Sequence, residues 1–235
     1  MKIKSLLFII IIFTCTLSFG QSYKIFKGDT INRTDTKGLK QGEWKRYYDN
    51  DQLFSITTFK NGKPIGQTLT YYKSGEKQGV LNHEKDGKTA RMTGYWQNGK
   101  IKAVGKYVNQ EKDSVWNYFN EQEILTAVES YKLGKPSGTW KIFYPDGKLS
   151  EETMYANGLK NGVFKRYFPN GNQKSYGTYK NDTFDGSVLH FYLNGKPFIK
   201  SNFVNGLKEG EWLYMNDSGI KDSSEVYKGG VLLEK

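Results

Sequence analysis

The sequence predicts an all-β fold, an elongated antiparallel meander built from about eight hairpins of 24 residues each. Three observations predict it. One short motif recurs: residues 157–171 (NGLKNGVFKRYFPNG) and 205–219 (NGLKEGEWLYMNDSG) lie 48 residues apart, twice the unit length. Four residue columns keep the same frame from residue 37 to residue 228. The composition is rich in aromatic residues (15%) and in Gly (26 residues), while alanine occurs only at Ala90, Ala103, Ala127 and Ala156, a profile of strands and turns rather than helices.

The first column is a glycine ahead of an aromatic strand: Gly42, Gly66, Gly138, Gly162, Gly186 and Gly210, with the small residues Ala90 and Ser114 in the two remaining places. The second marks a turn, running from Asp51 and Gly75 to Gly195 and Gly219. The third is aromatic, from Phe59 through His83, Tyr107 and Tyr131 to Tyr227. The fourth runs from Tyr47 and Tyr71 to Phe191 and Met215. The array therefore fills residues 37–228 with eight units.

Residues 133–156 (LGKPSGTWKIFYPDGKLSEETMYA) show how one unit works. Thr139–Tyr144 is β-branched and aromatic, so it reads as a strand. Pro145-Asp146-Gly147 is a turn in which Pro sets φ and Gly accepts positive φ. Lys148–Ala156 is the return strand, and Asn157-Gly158 turns the chain again. An NGLKNG-like loop is expected between hairpins. Trp140 and Tyr144 fall on one strand face and Phe143 on the other, which suits a sheet that curls or stacks rings along its length. The glycine column is expected to allow backbone or a ring to approach closely. At ~4.8 Å per strand, eight hairpins extend about 75–80 Å.

The ends read differently. Residues 1–20 (MKIKSLLFIIIIFTCTLSFG) have two lysines, an apolar run from Leu6 to Phe13, and small residues at Ser18 and Gly20: the order of a secretory signal peptide. The run falls short of the ~20 residues that span a bilayer, which sets aside a retained anchor. Lipidation at Cys15 fits poorly, because Phe13 and Thr14 stand where small residues are needed. The expectation is a chain exported to the periplasm, the cell surface or the medium, with no cysteine and no membrane span left after cleavage. Residues 21–36 read as a lead-in or cap and 229–235 as a C-terminal tail. The formal net charge of +11 includes Lys2 and Lys4, leaving +9 in the mature chain, a balance that favours anionic partners.

The segments Gly42-Glu43-Trp44-Lys45-Arg46-Tyr47-Tyr48, Gly138-Thr139-Trp140 with Phe143-Tyr144 and Gly147, Gly162-Val163-Phe164 with Tyr167-Phe168 and Gly171, and Gly210-Glu211-Trp212 resemble the MORN repeat, specifically its bacterial variant. Units three and four depart most, with Ala90 and Ser114 for glycine and Met92 for Trp. The resemblance implies a β-hairpin array that serves as a scaffold or interaction module. Members of the variant family are often labelled antitoxin components of toxin–antitoxin modules, a role that export restricts to an envelope or secreted toxin. The resemblance brings no catalytic residue, and fold does not dictate function.

Chemistry-bearing residues are sparse. His83 stands in the aromatic column and His190 in mid-strand, both structural readings. Glu151 and Glu152 are neighbours on a strand and point to opposite faces, so they do not converge on one bond. Asp182 and Asp185 match no calcium loop. No phosphate loop, nucleophile elbow or metal motif occurs. The expectation is a non-enzymatic chain with no catalytic residue, cofactor or metal. Cations interleave with rings, which makes Trp44, Arg46, Tyr48, Trp140, Arg166 and Trp212 the candidate ligand contacts of a cation–aromatic ribbon. The competing reading is that the rings form the repeat core and the cations its solvated side. A protein partner is the first expectation, a glycan or anionic surface the second, an immunity-type role against a toxin the third. Export argues against nucleic acid.

Overall fold

The computed structural model describes residues 20–235. The expected signal peptide, apart from Gly20, and Cys15 lie outside the described residues. Within them the chain forms 23 strands, of which 21 pair antiparallel in sequence order from Arg33–Thr34 to Val231–Glu234. Each long strand pairs with the long strands on either side of it, three two-residue strands pair only with the strand before them, and no pairing among the described residues joins those two end strands, so the sheet is open. No described helix is long and apolar enough to cross a membrane.

Turn chemistry fixes the register. In the fifth unit Gly138–Phe143 pairs with Leu149–Ala156. The Gly147 amide donates to the Tyr144 carbonyl (2.9 Å) and the Tyr144 amide to the Lys148 carbonyl (2.7 Å), with Gly147 at φ 83°. That is a turn closed by a glycine bulge, and the register shifts at Phe143 accordingly. The same column holds positive φ even without glycine, at Asp51 (62°) and Glu123 (65°). Between hairpins Asn157 and Gly158 both have positive φ (53° and 95°), the type I′ geometry that Asn-Gly favours; Asn181-Asp182 adopts it as well.

Two expectations need correction. The segment after the turn between hairpins is paired backbone rather than loop: Lys135–Pro136, Thr183–Phe184 and Leu207–Lys208 are short strands hydrogen-bonded to the strand before the turn. The close approach expected at the glycine column lies elsewhere. Gly42, Gly66 and Gly210 have no atom within 4 Å of where a Cβ would stand, and the column, Ser114 included but Ala90 excepted, holds φ of 60–110° where the strand bulges. Close approach occurs at Gly105, where a Cβ would lie 2.1 Å from the Trp116 ring, and at Gly177, 2.8 Å from Phe164.

The lead-in forms a hairpin of Lys24–Phe26 and Asp29–Ile31 beside the first unit. Its Phe26 ring stacks on Tyr47 at 3.9 Å, Ile31 is buried, and the Asn32 side chain bonds both the amide and the carbonyl of Lys45. At the other end Val231–Glu234 adds one more strand, with Val231, Leu232 and Leu233 exposed.

Candidate functional site: the ring-lined face

Side chains two apart on a strand share a face, so the Trp44 column and the Arg46 column lie side by side. Opposite the rings stand small residues: Thr153 pairs with Trp140, Gly177 with Phe164, Ser201 with Val188. Large against small lets the rings lie flat across the neighbouring strand. Phe164, Val188 and Trp116 are almost wholly buried there.

The fifth unit gives the repeating geometry. Trp140 lies between Tyr131 (5.3 Å) and Tyr155 (4.7 Å), which stand 9 residues before it and 15 after it. Trp212 lies likewise between Phe203 (5.1 Å) and Tyr227 (5.5 Å). Each indole N–H donates to a backbone carbonyl: Trp44 to Arg33 (3.1 Å), Trp116 to Lys106 (3.1 Å), Trp140 to Ser130 (2.8 Å) and Trp212 to Asn202 (3.2 Å). A lysine four residues ahead of the tryptophan caps the ring in three units: Lys40 over Trp44 (4.4 Å), Lys112 over Trp116 (5.0 Å) and Lys208 over Trp212 (4.2 Å).

This geometry corrects the ribbon of stacking platforms. Trp212 is 8% exposed, and Trp140 is held between two rings, so neither presents a free face. Arg166 makes an ion pair with Glu151 (2.8 Å) and lies 5.5 Å from the Phe164 ring. Tyr48 donates its hydroxyl to the Tyr71 carbonyl (2.8 Å). Arg46 is exposed and lies over Phe54 at 5.2 Å.

The titratable groups serve the sheet. Glu151 faces Arg166 while Glu152 pairs with Lys141 (3.2 Å) on the other face. Asp182 accepts from the Lys160 amide (2.7 Å) and Asp185 pairs with Lys180 (3.6 Å). Burial and then the Glu129 carboxylate hold the phenols of Tyr118 and Tyr131 well above their usual range; burial and Glu225 push Tyr214 up to about 12. His190 bonds Ser175 (2.9 Å), and its imidazole is pushed down by burial and by Arg166.

In unit seven, where Val188 holds the ring position, Phe184 fills the face between Tyr179 (4.7 Å) and Phe203 (5.2 Å); in units two and three nothing does, and the face opens. In units two and three the ring positions hold Thr68 and Met92. Their flanking walls remain: Phe59 and His83 about Thr68, His83 and Tyr107 about Met92. The result is a groove of about 760 Å³ that reaches the turn edge of the sheet at Lys40, Lys88 and Asn109. Along one side the Thr57 hydroxyl meets that of Thr68, which meets His83 Nε2, each at 2.8 Å. Burial pushes the His83 imidazole down. The signal for this groove was in the sequence, as two of the three non-aromatic residues in an aromatic column (the third, Val188, is covered by Phe184), but a missing ring is read only once its walls are known to persist.

A family model described as "MORN repeat variant" matches residues 40–61, 136–157, 160–181 and 184–205, and does not match units two to four, which form most of the groove. No curated protein matches. Similar solved structures include "Crystal Structure of TcdB2-TccC3", at 11% identity over 87% of this chain and 14% of that one (TM-score 0.24), and "Crystal Structure of TcdB2-TccC3-Cdc42", at 13% identity over 84% and 14% (TM-score 0.18). This chain thus spans about one seventh of theirs, and at these scores the likeness carries no argument.

Proposed function

This chain is built from repeats of the MORN variant family, and from that premise we propose that it is a non-catalytic interaction module that binds another protein in the bacterial envelope. The observation that carries this reading is the groove: a repeated sheet whose buried side-chain polar atoms all have partners among the described residues is interrupted where Thr68 and Met92 replace rings in units two and three. The signal-like residues 1–20 support the exported location. Cross-linking in intact cells, followed by mass spectrometry of the envelope fraction, tests it. One dominant protein partner is the expected result, and a toxin among such partners would turn the reading to immunity. A chain recovered with no protein partner overturns it.

A second reading rests on the opposite face. Lys141, Glu152, Lys165 and, three strands further on, Lys200 lie in one register row. That row favours an anionic polymer or surface. Retention on cell-wall material that weakens from low to physiological salt is its signature; salt-independent retention contradicts it.

A further inference from the structure

The strongest feature of the groove is that it keeps every part of the ring site except the ring. In the fifth unit Trp140 has Tyr131 nine residues before it and Tyr155 fifteen after it. Around Met92 those places are held by His83 and Tyr107, and both line the groove. Met92 does not fill the gap. Its Cε lies against Gly79 and Gly94, 3.5 Å and 3.0 Å from where their Cβ atoms would stand. The capping lysine is also in place: Lys88 stands four residues before Met92, as Lys40, Lys112 and Lys208 stand before their tryptophans. Lys88 has no ring of its own unit to cover. Among the described residues neither Lys40, Lys63 nor Lys88 makes an ion pair, although the chain is strongly basic.

We propose that the slot between His83 and Tyr107 binds an aromatic side chain of a partner protein, with an acidic residue beside it on Lys88 or Lys40. The inserted ring completes the stack that Met92 leaves open, and Lys88 covers it as Lys208 covers Trp212. The adjacent carboxylate supplies the anion that the rim lysines lack within the chain. The floor of Leu81, Met92 and Ala90 gives the ring an apolar bed, while Thr68 and His83 offer polar atoms at its side. A groove of this size, apolar with a few polar groups, suits one buried anchor residue. The proposal rests on the interaction-module reading and names its site and the chemistry of its partner.

The test uses a blocked tripeptide with tryptophan between aspartate and glutamate, titrated into the full chain with 13C-labelled methionine methyls. The expected result is saturable binding that moves the Met92 methyl, and a control peptide with leucine for tryptophan that binds at least about fivefold more weakly. Met92→Trp fills the slot from inside and reduces peptide affinity at least about tenfold. Lys88→Ala, an exposed change that leaves packing intact, reduces it about two- to fivefold. Equal binding of the leucine peptide, an unmoved Met92 methyl, or undiminished binding by both variants overturns the proposal. The outcome is separable from that of the module: a Met92→Trp chain that still cross-links to the wild-type partner removes the groove but leaves the module standing.

Discussion

The hydroxyl of Tyr144 donates to the backbone carbonyl of Tyr167, 23 residues further along, at 2.6 Å. The bond ties the turn end of one hairpin to the strand end of the next. Tyr48 makes it to Tyr71 (2.8 Å), Tyr72 to Tyr95 (2.7 Å), Trp96 to Phe119 (3.0 Å) and Tyr192 to Met215 (2.9 Å). The ladder lapses where the column holds Asn120 and Phe168.

Tyr144→Phe removes one rung and costs about 1 kcal/mol. Phe168→Tyr adds a rung toward the Phe191 carbonyl and stabilises by about 0.5–1 kcal/mol. Urea unfolding of both variants checks the pair; opposite signs are expected, and two losses would show that the ladder is incidental.

The two kinds of glycine separate cleanly. Gly105→Ala puts a methyl into the Trp116 ring, against a nearest approach of 2.1 Å, and costs about 3 kcal/mol or more. Gly66→Ala meets no neighbour and carries only the strain of φ +65°, about 1–2 kcal/mol. The ratio of the two losses in equilibrium unfolding is the readout, and equal losses would contradict the ring-over-glycine packing.

Trp212→Ala removes a buried ring between two others and costs about 3–5 kcal/mol. Near-UV circular dichroism and thermal unfolding register this as lost packing in the last unit. A variant of wild-type stability would return Trp212 to the list of surface contacts.

Both imidazoles are pushed down in the folded chain, chiefly by burial. The unfolded chain therefore takes up more protons than the folded one just below the ordinary histidine range. Their contribution to stability is complete above about pH 6.5 and declines as pH falls through that value toward the lower folded pKa values. The wild-type midpoint of thermal unfolding should drop between pH 7.5 and 5.5, and the His83→Gln, His190→Gln double variant should drop less. Equal slopes would contradict the shifts.

Much of the fold is legible in the sequence, because its signals are local. Asn157-Gly158 and Pro145-Asp146-Gly147 name their turns through φ alone, and the 24-residue frame follows from counting them. The rungs at Tyr48 and Tyr144, the capping role of Lys40, Lys112 and Lys208, and the paired state of Leu207–Lys208 were not legible. They depend on which atoms meet, from three to five residues apart for the caps and the short strand to 23 for the rungs, and hydropathy does not encode that. Trp140 and Trp212 proved to be core rather than contact rings for a related reason: an exposed stacking tryptophan and a core tryptophan have the same pattern on a strand, and only walls such as Phe203 and Tyr227 distinguish them. The groove is the converse case, written as Thr68 and Met92 in consecutive units of a column that is otherwise aromatic apart from Val188, which Phe184 covers.

The central claim, that each 24-residue unit is interchangeable scaffold while units one to four hold the binding groove, is tested most directly by deleting residues 181–204, so that Lys180 runs into Asn205. The account predicts a cooperatively folded β chain that binds the tryptophan-containing acidic peptide with unchanged affinity. A molten product, or a folded one that no longer binds the peptide as the full chain does, would contradict it.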